Sequence, residues 1–314
     1  MPTPDVTVSL VSYNTRDLLR ACLQSVAATA GVSYEVLVVD NGSSDGSPTM
    51  VTREFPGVQL IANPDNRGFA AANNLAIRRA CGRHVLLLNP DTVVFPHTIA
   101  EMAAFLDENE NVGICGPRIL FPDGTFQSCG YNFPTPLSEV RMSRNVGKAL
   151  RLVVGDEPVP PSGSLPYECD WVDGACLMIR KAVIDRIGPL DEQYFLYTEE
   201  LDWCFGARKA GWKVYALPHV EMLHYRGKSS EQASDWTLAL LVETKLRYFR
   251  KNHGLSTAVF VSLVNAAGFI RQLRREPGKN RAKLRGVRQF WVSLYRNQGR
   301  THESARVKLP DDTR

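Results

Sequence analysis

No apolar run in this sequence reaches the roughly 20 residues that a membrane-spanning helix needs, so no bilayer crossing is expected. The seven cysteines (22, 81, 115, 129, 169, 176 and 204) are scattered, and no pair is spaced C-x-x-C. A basic-then-apolar leader does not open the chain either. These absences argue against a disulfide framework or a zinc cluster and for a reducing compartment. Internal repeats and low-complexity segments are lacking too. With 44% hydrophobic residues, 23 Gly and 19 Pro in 314 residues, disorder and fibrous folds are excluded. The length suits one large α/β domain, with or without an appendage.

A surplus of one charge is also missing overall, with 37 Lys+Arg against 33 Asp+Glu. The balance hides an asymmetry. Between Lys245 and Lys308 sixteen Lys/Arg stand against two acids, Glu276 and Glu303. An acidic body with a basic tail implies an anionic partner, either phospholipid headgroups or nucleic acid. No nucleic-acid recognition motif accompanies the charge, so nucleic acid ranks below lipid.

What is present has the cadence of βαβ units. The runs 6–13, 34–39, 58–62 and 84–88 read as strands, and 15–29, 47–54 and 68–80 as helices, with Asn14 or Thr15 as the first cap. This predicts an open, doubly wound, mostly parallel sheet with helices on both faces. Ligands of such sheets bind beyond the carboxyl ends of the strands. Three successive strand ends here carry Asn14, Asp40 and Asp91. Further on, a helix is expected at 96–108, a short strand at 113–115, long loops over 117–170, strands at 175–179 and 213–216, and helices at 181–187, 199–210, 237–252 and 256–275.

Each candidate residue has two readings. Asp40 can accept from a nucleobase or ribose, or merely shape an Asp-Asn-Gly turn. Arg67 and Gly68 before a small-residue helix can meet phosphate, or form a tight strand-to-helix turn. Asp91 can hold a hard cation against a diphosphate, or end its strand in an Asn-Pro-Asp turn. Glu199, Glu200 and Asp202 cannot all face one ligand, being about 100° apart per residue on a helix. One of them can be a general base, and the cluster also suits an acidic helix N-terminus. His224 can complete a metal shell or be structural.

The order of these pieces resembles the family 2 glycosyltransferases, inverting enzymes of the GT-A fold, and within them the rhamnosyltransferase-type members. The resemblance covers about residues 5 to 230. It rests on Val11-Ser12-Tyr13-Asn14, Val38-Val39-Asp40-Asn41-Gly42-Ser43, Asn66-Arg67-Gly68-Phe69 with Asn73-Asn74, and Leu88-Asn89-Pro90-Asp91. It continues through Gly174 to Arg180, Gly188-Pro189-Leu190-Asp191-Glu192, Phe195 to Trp212 and His224-Tyr225-Arg226-Gly227-Lys228-Ser229.

The resemblance implies that Asp40 contacts the base, with Ser12 and Asn14 lining its pocket and Arg67 near the base or phosphates. Asn89 and Asp91 stand at the family's Asp-X-Asp motif, and His224 matches a histidine near the metal and diphosphate. The implied cofactor is Mg²⁺ or Mn²⁺, held by Asp91 and His224. Glu200 stands at the base position, where the family usually has Asp, so Glu199 or Asp202 stay open as the base. Trp171, Asp173, Gly174 and Trp203 are implied on the acceptor side. No covalent intermediate is implied, and no nucleophile-elbow serine is expected.

The expected organisation is a catalytic domain over 1–232, divided into a nucleotide-binding half (1–115) and an acceptor-side half (116–232), then a basic helical extension over 233–314. The implied partners are a dTDP- or UDP-sugar donor and a saccharide acceptor of the polyprenyl-linked kind, in cell-envelope polysaccharide synthesis. The near-uncharged 255–270, with basic residues on both sides, suits an interfacial helix on the inner, cytoplasmic leaflet of the membrane, each basic residue adding about 1 kcal/mol. The same pattern suits helices packed on the catalytic domain or in a homodimer. Two other functions stay open: a sugar nucleotidyltransferase, and an inactive membrane-associated sugar-nucleotide binder. The first would need a glycine-rich phosphate loop where Ser12-Tyr13-Asn14-Thr15-Arg16 stands.

Overall fold

Apolar and β-branched residues make the first strand, β1 (Val6–Ser12), and all of it is buried. Its polar members are satisfied locally: the Thr7 hydroxyl donates to Glu35 and the Ser9 hydroxyl to Asn73. In the computed structural model, which describes residues 3–144, 163–225, 235–273 and 275–296, β1 is followed by α1 (Arg16–Ala27), β2 (Tyr34–Asp40), α2 (Ser47–Glu54), β3 (Gln59–Ala62), α3 (Phe69–Ile77) and β4 (His84–Leu88). The β3-β2-β1-β4 half of the sheet is wholly parallel. Leu19, Cys22, Leu23 and Val26 of α1 seal one face. Ala72 and Ala76 of α3 lie against Val11, Leu37 and Val39 on the other.

The second half is mixed. It contains β5 (Thr92–Val94), α4 (Thr98–Glu108), β6 (Val112–Leu120), β7 (Phe126–Ser128), β8 (Gly130–Tyr131), α5 (Pro136–Arg144), β9 (Tyr167–Cys169), β10 (Trp171–Val172), β11 (Cys176–Arg180), α6 (Lys181–Ile187), α7 (Glu199–Lys209) and β12 (Lys213–His224). β11 pairs antiparallel with β4 and β6, and β12 runs parallel to β6. The seven cysteines are free thiols.

Two expectations change here. The described parts of 117–170 are not simply loops, because Asp123-Gly124 turns the chain back as a hairpin. Gly124 has φ 80° and Phe121 N–H donates to Thr125 O at 2.8 Å. The strand expected at 213–216 runs on to His224, because a bulge between Leu217 and Glu221 absorbs Pro218. Residues 145–162, the Arg226-Gly227-Lys228-Ser229 motif and the boundary at 232/233 lie outside the described residues.

Three helices close the chain: α8 (Asp235–His253), α9 (Leu255–Gln272) and α10 (Pro277–Arg296). Leu246, Tyr248 and Phe249 of α8 share a core with Trp171, Trp203 and Val261 of α9. Lys245 forms an ion pair with the buried Glu139 of α5. The C-terminal helices are therefore bolted to the sheet domain.

Asn73-Asn74, part of the motif set, proves to be internal carpentry. The Asn74 amide donates to Leu190 O at 2.8 Å and accepts from Leu190 N–H at 3.0 Å, all buried. Asn74→Ala would strand a buried backbone donor and acceptor and should cost about 2–5 kcal/mol, read as a lower urea midpoint. An unchanged midpoint would contradict the assignment.

Candidate active site

The carboxyl ends of β1 and β2 lie side by side, with Ser12 opposite Asp40. Asp40 is buried, and its Oδ2 accepts from the N–H groups of Gly42 (3.2 Å) and Ser43 (2.9 Å). Its Oδ1 is buried and unpaired, an acceptor left for a ligand donor. Asn14 adopts φ 54° and does not cap α1; its Oδ1 accepts from Ser44 N–H at 2.8 Å, pinning the two strand-end loops together. The Ser12 hydroxyl pairs with Thr15 at 2.9 Å.

Arg67 is exposed and forms no ion pair among the described residues. The adjoining Gly68, at φ 83°, lies so close to Phe195 that an added Cβ would sit 2.3 Å from its carbonyl oxygen. Phe69 N–H donates to that oxygen at 2.7 Å. This contact joins the start of α3 to the segment leading into α7.

The next strand end carries the charge. Asp91 is buried, and its Oδ1 lies 3.3 Å from Nε2 of His224 at the end of β12. His224 Nδ1 lies 2.8 Å from Gln127 Oε1, while the Gln127 amide N–H donates to His224 O at 3.3 Å. With the amide in this orientation Nδ1–H donates to Gln127 Oε1, and Nε2 is the ring nitrogen that faces Asp91. Backbone bonds hold the arrangement: Tyr225 N–H donates to Asp91 O (2.9 Å), and Asn89 N–H to Ala175 O (3.0 Å).

That last bond carries the rim to Asp173-Gly174-Ala175 and so to α7. Gly174 lies against the Glu200 side chain, where an added Cβ would make ordinary contacts at 3.4 Å. Glu200 is buried with Oε2 unpaired. Burial first, and then the charge of Asp173, push its carboxyl up from 4.5 to about 7, although backbone N–H groups at the helix start pull the other way. Burial and then Glu200 raise Glu199 well above the usual range. Tyr197 (φ 71°) and Thr198 (φ 76°), immediately before α7, both take the left-handed conformation, a local strain.

Asp202 is engaged elsewhere. Its two oxygens accept from Lys251 and Asn252 of α8, each at 2.7 Å. Asp173 accepts from Ala175 N–H at 2.9 Å. Trp171 stacks on Tyr131 at 4.2 Å, and Trp203 donates from its indole to Gly188 O at 3.0 Å. Both indoles are buried in the core, apart from the rim that gathers Ser12, Asp40, Asn89, Asp91, Gly174 and Glu200.

Gln127 was not foreseen, although the Asp-Gly hairpin turn before it was the available signal. Gly42-Ser43-Ser44-Asp45-Gly46 does spell G-x-S-x-G, contrary to expectation. Its Ser44 is exposed and bonds Asn14 at 3.4 Å, so it builds the turn between β2 and α2.

The raised carboxyl of Glu200 has a stability consequence. Between 4.5 and about 7 the unfolded chain gives up this proton before the folded one does, so stability is lost as pH rises through that window. Glu200→Gln should therefore unfold at higher temperature than the parent above pH about 8, by at most about 3 kcal/mol, and the gain should vanish below pH about 4. A gain that is independent of pH would contradict the assigned burial.

A family model described as Glycosyl transferase family 2 matches residues 7–149, and one described as Glycosyl transferase family group 2 matches residues 84–275. The chain is 27% identical over 246 residues to the N-acetylglucosaminyl-diphospho-decaprenol L-rhamnosyltransferase of Mycobacterium tuberculosis, covering 71% of this chain and 76% of the relative. It is 24% identical over 198 residues to the dTDP-rhamnosyl transferase RfbF of Shigella flexneri, covering 62% and 61%. In fold it resembles the mannosyltransferase PcManGT from Pyrobaculum calidifontis in complex with GDP-Man and Mn²⁺, with TM-score 0.59, 16% identity, and 93% and 88% of the two chains covered. The fold is thus GT-A, and the chain belongs to glycosyl transferase family 2, as a glycosyltransferase similar to rhamnosyltransferases.

Proposed function

We propose that the protein transfers a sugar with inversion, L-rhamnose from dTDP-rhamnose, to a polyprenyl-linked saccharide in cell-envelope polysaccharide synthesis. The observation that carries this reading is Glu200, a carboxyl raised to about 7 on the rim that also bears Asp40 and Asp91. The named activities of the mycobacterial and Shigella relatives support the sugar and the lipid-linked acceptor. In this reading residues 1–115 bind the nucleotide, 116–232 the acceptor, and 233–314 form the basic extension, with the enzyme peripheral on the inner membrane face.

The roles follow from chemistry. The unpaired Asp40 Oδ1 accepts from the imide N–H of a thymine or uracil ring, and the exposed Arg67 meets the diphosphate. Asp91 and His224 would hold a divalent cation. One carboxylate oxygen and one imidazole nitrogen, 3.3 Å apart, fit Mn²⁺ or Mg²⁺, which take their remaining ligands from phosphate and water. Among the described residues no group of three His, Cys, Asp or Glu side chains could hold a metal, so a bound diphosphate would have to complete the shell. When bound, the ion neutralises the developing charge on the diphosphate.

Glu200 takes the proton from the acceptor hydroxyl. The oxygen attacks the anomeric carbon from the face opposite the diphosphate, and the carbon–oxygen bond to phosphate breaks with its electrons leaving on the diphosphate. Asp202, tied to Lys251 and Asn252, positions α7. Burial and then Asp173 discourage ionisation of Glu200, and Glu199 is buried beside it.

Turnover of dTDP-rhamnose with a synthetic diphospholipid-linked N-acetylglucosamine acceptor tests this. Glu200→Gln should lower kcat by about 10²–10⁴-fold with donor binding by calorimetry retained. Asp40→Ala should weaken donor binding, and proton NMR of the product should show the inverted anomer. Full turnover by Glu200→Gln, or a retained anomer, would refute the assignment.

A further inference from the structure

Large apolar side chains are conspicuous on one face of one helix. Phe260, Leu263 and Ile270 of α9 are 48%, 59% and 58% exposed, with Leu255 at the helix start 53% exposed. Phe260, Leu263, Ala267 and Ile270 recur at helical spacing, so they form one stripe. The opposite side of α9 is occupied: Ala258, Val261, Ser262, Gly268 and Gln272 are buried against the body. A helix with an inward face already satisfied has no folding reason to carry a second apolar face.

The surroundings identify what the face meets. No charged residue stands between Leu255 and Ile270. Beyond the helix Arg275, Arg281 and Arg288 are exposed and form no ion pair among the described residues. Exposed apolar side chains on α9, followed in sequence by exposed cations with no ion pair among the described residues, match an anionic phospholipid surface, whose headgroups would take the arginines while the acyl boundary takes the stripe. A second copy of this chain would bring the same cations against themselves.

The face is also linked to the catalytic helix. Lys251 and Asn252, at the end of α8 just before α9, hold Asp202, two residues after Glu200. We infer that the exposed face of α9, with Arg275, Arg281 and Arg288, docks the enzyme on an anionic bilayer and so fixes the height of Glu200 above the membrane. The purpose, though not the surface, rests on the lipid-linked acceptor proposed above.

Flotation of the full chain with vesicles of phosphatidylcholine alone, and of phosphatidylcholine with phosphatidylglycerol, tests this inference. The protein should float only with the anionic vesicles, and added salt should release it. The pair Phe260→Ser with Leu263→Ser should weaken partitioning about 10-fold or more, and Arg275, Arg281 and Arg288 together changed to Gln on the order of 100-fold. Both variants should keep the parent's thermal midpoint and its turnover of a short, water-soluble acceptor. Absence of flotation, equal flotation of the variants, or a dimer broken by the variants without vesicle binding would each overturn the docking surface. Lost turnover on every acceptor with vesicle binding intact would instead overturn the functional reading and leave the surface standing.

Discussion

A carboxyl taken out of water at the first turn of a helix is the constraint on which the rest of this structure depends. Glu200 is buried beside Glu199 and near Asp173, an arrangement that opposes ionisation. The fold sustains it from several sides. Gly174 lies against the side chain. Lys251 and Asn252 fasten the same first turn of the helix through Asp202, two residues on. The left-handed pair Tyr197 and Thr198 aims the helix start. Strain and unfavourable charge are concentrated at the start of α7, and the surrounding packing offsets them.

The opposite half of the rim carries two further buried carboxylates, Asp40 and Asp91. Parallel pairing of β2, β1 and β4 brings Asp40, Ser12 and Asn89-Pro90-Asp91 to one edge in register. The long β12 delivers His224 beside Asp91. Gln127 fixes the ring orientation through Nδ1, so Nε2 points toward the carboxylate. In the proposed reading the Asp91–His224 side serves the diphosphate and the Glu200 side serves proton removal, the separation that an inverting transfer would need because nucleophile and leaving group stand on opposite faces of one carbon.

Much of the first half was legible in the sequence, because parallel strands buried on both faces are short unbroken apolar runs and each ends in polar turn formers. Asp40 and Asp91 could be placed at strand ends from that pattern alone. The second half was harder to read. Pro117 and Pro218 stand inside β6 and β12 and looked like stops, since a bulge that absorbs a proline leaves no periodic mark. Gln127 acts through a hairpin whose partner strand is distant in sequence. Trp171 and Trp203 matched motif positions yet fill the core, because residue type does not reveal which side of a strand or helix start faces the crevice. That the oxygens of Asp202 are engaged by α8 is visible only in coordinates. Of the C-terminal helices, α8 is packed into the core and α9 keeps an apolar face outside.

The most direct measurement of the central claim is the pH dependence of kcat/KM for the unaltered enzyme with saturating metal. If Glu200 removes the acceptor proton, the rate must rise with unit slope on a logarithmic scale and level off near its raised value of about 7. A profile that is flat from acid to neutral pH, or one that turns near the ordinary carboxylate value of 4.5, would contradict the account.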